Sequence, residues 1–93
     1  MSAPPSPPGP GWRPRLRRAI VLRHDPVRDQ DLLVMPERIV VLNEEAAAVV
    51  RLCDGERTVG DIVTELTGTW PAAPVAADVS GFLVRIRDEG WVG

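Results

Sequence analysis

Few side chains in this sequence have the means to do covalent chemistry. There is one histidine, His24, and one cysteine, Cys53. His24 adjoins Asp25-Pro26, a pair that favours a turn. Cys53 falls on the apolar stripe of a helical pattern, where a thiol stays protonated and inert. One Cys and one His cannot complete a four-ligand zinc site. The carboxylates fall in no acid–base or metal-ligand spacing, and Gly55, Gly60, Gly68, Gly81 and Gly90 are isolated, so no phosphate-cradling loop is written here. Catalysis by this chain is not expected, nor is a metal or cofactor of its own.

What remains is backbone chemistry. Arg38, Ile39, Val40, Val41 and Leu42 read as a strand with four successive apolar residues. A strand with one wet face should alternate instead. Either both faces are core, or one is core and the other is covered by something else. At the edge of a sheet, such a strand offers free N–H and C=O groups to an extended peptide. This is β-strand addition, in which backbone bonds give affinity and flanking pockets choose side chains. A proline at Val40 would then remove one donor.

The elements that position this strand follow from composition and periodicity. The chain has 93 residues, enough for one small domain. Residues 1–14 hold six of the ten prolines and read as a disordered tail, leaving residues 15–93 as the folded domain. The tail has no apolar core of a signal peptide, no run approaches a membrane span, and a lone cysteine makes no internal disulfide, so a cytoplasmic location is expected. All basic side chains are arginine. Residues 1–42 carry a net charge of +3 and residues 43–93 a net charge of −5, giving −2 overall. The basic half suits an acidic partner, or is simply solvated surface.

Strands are expected over 17–23, 32–35 and 38–42, with 24–31 as a hairpin loop and Pro36 interrupting the second strand. Asn43 then caps a helix over 44–53, with Ala46, Val49, Val50 and Cys53 on one stripe. Gly55 stops it. Thr58 with Asp61 resembles a capping box opening a second helix, whose buried face is Val59, Ile62, Val63 and Leu66. A third helix over 75–89 buries Val75, Val79, Phe82, Leu83 and Ile86, and Gly90 stops it with Trp91 packing back. Strands first and helices after give an α+β fold: a three-stranded antiparallel N-terminal sheet followed by a three-helix, winged-helix-turn-helix-like bundle.

A winged helix raises a second reading, duplex DNA binding. Against it, the two later helices carry more acids than bases and would be repelled by phosphate. A third reading is a structural domain that pairs with its own copy through the same strand, as a monomer in equilibrium with a weak homodimer.

The motifs narrow the choice. Leu32, Leu33, Pro36, Glu37 and Arg38 form an LL-x-x-PER segment. Leu42, Asn43 and Ala46 form LN-x-x-A, and residues 52–59 with Ile62 read LCDGERTV-x-x-I. Asp78, Val79, Phe82 and Leu83 add DV-x-x-FL. In this order and spacing, covering nearly everything after the tail, the chain resembles the PqqD family of pyrroloquinoline quinone (PQQ) biosynthesis. The resemblance implies a non-catalytic chaperone, a recognition element that binds the precursor peptide PqqA and presents it to the radical S-adenosylmethionine (SAM) enzyme PqqE. The iron–sulfur clusters would belong to that enzyme. It implies that the peptide adds to the third strand, Arg38 to Leu42, and lies against the third-helix face of Asp78, Val79, Phe82, Arg85 and Ile86. PqqD-like modules also serve other modified-peptide pathways, and some follow PqqC in fusions, for which a proline-rich lead would be a linker.

Overall fold

The order of elements in the computed structural model, which describes residues 11–93, is three strands and then three helices: β1 (Val21–Asp25), β2 (Gln30–Val34), β3 (Ile39–Leu42), α1 (Glu44–Arg51), α2 (Val59–Thr69) and α3 (Val75–Asp88). The strands form one antiparallel sheet in the order β1-β2-β3. This is the α+β fold expected from the sequence.

The first hairpin is tighter than its polar composition suggests. His24 and Asp25 continue β1, Gln30 and Asp31 open β2, and only residues 26–29 turn. Asp25 makes this feasible by accepting the Val27 N–H at 3.0 Å, and Asp29 takes a left-handed φ of 52°. His24 and Asp31 stand opposite each other, and His24 Nδ1 lies 3.1 Å from Asp31 Oδ1. Cross-strand pairing thus extends the ladder into residues that local propensity assigns to a loop. The second hairpin turns at Pro36-Glu37 and closes with the Met35 N–H donating to the Arg38 C=O at 2.9 Å.

Helix caps form as their residue types dictate. The Asn43 side chain accepts the Ala46 N–H at 2.8 Å. Thr58 and Asp61 form a reciprocal capping box at 3.0 and 3.1 Å. Gly55 and Gly90 both stand at φ 80°, where only glycine is unstrained. At Gly55 there is a second constraint: a Cβ would meet the Arg15 side chain at 3.0 Å.

That contact reveals a correction. Residues 12–14, assigned to the tail by composition, are part of the domain. Pro14 is fully buried, and Trp12 is half-buried against the helical core with the Arg87 guanidinium 5.8 Å from its ring centroid. The expected strand over 17–23 also divides. Its second half is β1, while residues 12–17 form an extended strap. In the strap, the Val59 and Gly55 N–H groups donate to Trp12 and Pro14, Arg15 and Gly93 exchange bonds, and Arg17 donates to Trp91. Proline lacks a donor but loses nothing when only its carbonyl is needed, which is how a proline-rich lead enters a fold. The rest of the expected tail, residues 1–10, lies outside the described residues.

Two groups of buried side chains meet on α1. Val49 and Cys53 join Val59, Ile62, Leu66, Val75, Val79, Leu83, Ile86 and Val92 between the helices. Ala47 and Val50 join Leu33, Met35 and Leu42 against the sheet. Leu16, Phe82 and Trp91 touch both groups. The stripe expected on α1 is therefore rotated: Ala47 is fully buried and Ala46 only half. A helix with partners on two sides buries more than one stripe.

Two outcomes follow for stability. Thr58→Ala should cost about 1 kcal/mol and lower Tm by about 5 °C in thermal melts, because the Asp61 N–H loses its side-chain acceptor. Three carboxyls are held below the ordinary range: Asp31 by the hydrogen bond from His24 and by Arg51, Asp54 by the backbone N–H groups of Arg57 and Glu56, and Asp61 by the Thr58 N–H. A depressed folded-state value favours the fold above the unfolded-state pKa of about 3.9 and is lost as pH falls through the folded value. Tm should thus hold between pH 7 and 5 and drop below about pH 4; in Asp61→Asn the acid-side drop should be shallower.

Candidate functional site

Strand β3 is one of the two outer strands of the sheet, paired with β2 on one side only. Its register says which backbone groups are free. The Met35–Arg38 bond fixes that pair as hydrogen-bonded, and in an antiparallel ladder bonded and non-bonded pairs alternate. Leu33–Val40 and Asp31–Leu42 are then bonded pairs, so Val40 and Leu42 direct their N–H and C=O toward β2. Ile39 and Val41 direct theirs to the open edge. A proline at Val40 would therefore break the internal ladder, and the donors that face outward are those of Ile39 and Val41.

Side chains alternate about the same strand. Leu42 is buried and Val40 half-buried, both on the side of the core. Ile39 and Val41 lie on the other face and are 62% and 58% exposed. The two faces are not both core: one is buried, and the other is bare within the described residues. Val21, at 49%, is also exposed, and Val34 lies between it and Ile39 in register.

On the core side, β3 and α3 border a cleft of about 290 Å³. Arg38, Val40 and Leu42 line it from the strand. Phe82, Arg85, Ile86 and Glu89 line it from the helix, at i, i+3, i+4 and i+7, so they form one stripe. Trp91 closes one end. The centre is apolar and the rim charged. Arg38 Nη2 lies 3.5 Å from Glu89 Oε2, and its guanidinium stands 5.5 Å from the Trp91 ring centroid. Both ionic partners are half exposed, so the pair contributes little stability and works as a loose brace across the cleft.

A larger groove of about 520 Å³ continues past Phe82 and Arg85, between α1 and α3. Ala46 and Val49 contribute from α1, Trp70 and Val75 from the ends of the connecting segment, and Asp78 and Val79 from α3.

The ten residues selected from the sequence are thus sorted by the structure. Arg38, Val40, Leu42, Phe82, Arg85 and Ile86 meet in the cleft. Asp78 and Val79 belong to the adjoining groove, and Ile39 and Val41 offer the free edge and the outer face. Glu89 and Trp91 were missed. Glu89 reads as wet face in isolation, yet its i+7 spacing from Phe82 places it on the same stripe. Trp91 reads as packing after a glycine stop, which it does while also forming the cleft wall.

The reactive side chains lie elsewhere. Cys53 is buried, its thiol donates to the Val49 C=O at 3.3 Å, and burial pushes its pKa up to about 12. His24 bonds Asp31, which in turn holds Arg51 of α1 at 2.9 Å. Among the described residues, no group of three or more His, Cys, Asp or Glu side chains is placed to hold a metal, and no helix is long and apolar enough to cross a membrane.

Comparison with known proteins identifies the family. Residues 32–92 match the family model described as coenzyme PQQ synthesis protein D, PqqD. A PqqA binding protein of Pseudomonas putida (strain W619) is 36% identical over 84 residues, covering 89% of this chain and 88% of that protein. A PqqA binding protein of Bradyrhizobium diazoefficiens is 34% identical over 82 residues, covering 86% and 80%. The solution structure of the PqqD truncation of Methylobacterium extorquens PqqCD superposes with a TM-score of 0.71 at 36% identity, covering 86% of this chain and 87% of that one. That truncation is described as a functional, stand-alone recognition element for ribosomally synthesised and post-translationally modified peptides.

The open edge is measurable without any ligand. In native-state hydrogen exchange, the Val40 and Leu42 amides should be protected by the ladder. The Ile39 and Val41 amides should exchange faster by about 100-fold or more, since no internal bond holds them. Equal protection at all four would show that the edge is already covered.

Proposed function

The chain belongs to the PqqD family, and from that premise we propose that it is a non-catalytic peptide chaperone for PQQ biosynthesis. It binds the precursor peptide PqqA as an added strand on β3 and presents it to the radical SAM enzyme PqqE. The observation that carries this reading is the juxtaposition of an unpaired strand edge with an apolar cleft walled by α3.

The energetics suit a carrier that must release its cargo. A strand laid along β3 meets two N–H and two C=O groups, those of Ile39 and Val41. Four such bonds at a net ~1 kcal/mol each give roughly 4 kcal/mol. The cleft provides the rest: alternate side chains of the added strand enter it and meet Val40, Leu42, Phe82 and Ile86. The intervening side chains lie beside Ile39 and Val41 on the outer face. The bound strand therefore extends both apolar surfaces of β3, which accounts for apolar residues at successive positions. Only the segment of peptide on β3 is held, so the remainder stays accessible to the modifying enzyme.

In an isotope-labelled sample titrated with PqqA, amide shifts should concentrate at residues 39–42 and at Phe82, Arg85, Ile86, Glu89 and Trp91. Val41→Pro is the sharper test. Val41 is on an edge strand, its N–H points outward and its side chain is exposed, so proline fits there and removes only the docking donor. The variant should keep its melting temperature within a few degrees, lose about tenfold in PqqA affinity, and fail to support modification of PqqA by PqqE. Val40→Pro should instead destabilise the fold. Unchanged affinity in folded Val41→Pro would exclude strand addition at this edge.

A further inference from the structure

Of the two cations in the cleft, one is engaged and one is not. Arg38 is held by Glu89 and stacked over Trp91. Arg85 is exposed and lines both the cleft and the adjoining groove, and its guanidinium has no hydrogen-bond or ion-pair partner among the described residues. Its nearest acid along the same helical stripe, Glu89, is the carboxylate that Arg38 already holds. We infer that Arg85 is a specificity-determining residue, and that the peptide strand this cleft selects carries a carboxylate side chain set against it. This rests on the peptide-binding reading above.

The reason is desolvation. Phe82 lies one turn before Arg85 and Ile86 directly follows it, and the two form the apolar floor a bound strand must cover. A strand seated there removes water from the guanidinium between them. A cation covered without a partner is costly, whereas a carboxylate accepting from the guanidinium fork offsets that cost and strengthens as water leaves. The position of the carboxylate along the cleft is also restricted. On the α1 side of Arg85, the groove presents Glu45 and Asp78, which repel a displaced acid. On the far side, Arg38 is reached only by displacing Glu89. Arg85 is where an incoming carboxylate finds an unoccupied cation, and this pins the register of the added strand, which backbone pairing alone leaves free to slip.

The test is a double-mutant cycle between Arg85 and the carboxylates of the PqqA peptide. Each Asp or Glu of PqqA is changed singly to Asn or Gln, and affinities are measured against the wild-type protein and Arg85→Gln. One peptide position should lose about tenfold with wild type and nothing further with Arg85→Gln. At that position a Lys-bearing peptide should bind Arg85→Glu better than it binds wild type. Arg85 is exposed, so amide spectra of the free variants should be unchanged away from the substitution. If no neutralised position weakens binding, or if the losses are equal in Arg85→Gln, the inference is wrong while the peptide reading stands. If wild type fails to bind PqqA, or the shifts fall away from β3 and α3, the peptide reading fails and takes this inference with it.

Discussion

Everything in this domain depends on α1 being buried on two sides. At eight residues it is too short to persist alone, and caps add only part of what it needs. Its stability comes from Ala47 and Val50 against the sheet and from Val49, with Cys53 just past its end, against the helices. That double burial sets the distance between the sheet and the α2–α3 pair. Leu16, Phe82 and Trp91 fill the junction, and α3 is left standing beside β3 without closing on it. The cleft follows from the width of a single short helix.

An exposed edge strand is normally blunted by charge, proline or a bulge, because it invites pairing with other chains. Here the strand is short and follows Pro36-Glu37-Arg38, yet it shows Ile39 and Val41 to solvent. Arg38 contributes twice, as a charge at the edge and as the brace to Glu89 and Trp91. Such an arrangement sacrifices protection along four residues only. The strap over 12–17 plays the opposite role, tying residues 91–93 to the α1–α2 turn at Gly55.

A polar chain crosses the other end of the sheet. His24, Asp31 and Arg51 connect the first hairpin to the end of α1 at 3.1 and 2.9 Å. Asp31 is mostly covered, and its depressed pKa reflects these partners rather than any reactivity. Cys53 is explained in the same terms, as a small apolar side chain whose thiol finds one carbonyl. The two side chains most capable of chemistry are thus accounted for structurally, His24 by its bond to Asp31 and Cys53 by burial.

Local signals in the sequence determined a good deal. Asn43, the Thr58/Asp61 box, Gly55 and Gly90 act within a few residues of themselves, so the helix boundaries were legible to within a residue or two. The order of strands and helices, and hence the α+β class, followed from periodicity. The unbroken apolar run at 39–42 marked the strand that matters. Tertiary structure decided the rest. It drew Trp12 and Pro14 into the core, because a segment without ladder donors can still supply carbonyls and apolar surface. It shortened the first hairpin, because cross-strand pairing outweighed the loop character of His24 and Asp31. It chose which of Ile39, Val40, Val41 and Leu42 expose backbone and which expose side chain, because register depends on the Met35–Arg38 closure and not on the strand's own residues. It also brought Glu89 and Trp91, some fifty residues away in sequence, opposite Arg38. No spacing along the chain encodes that meeting; it exists only because α3 comes to rest beside the edge that the sheet leaves open.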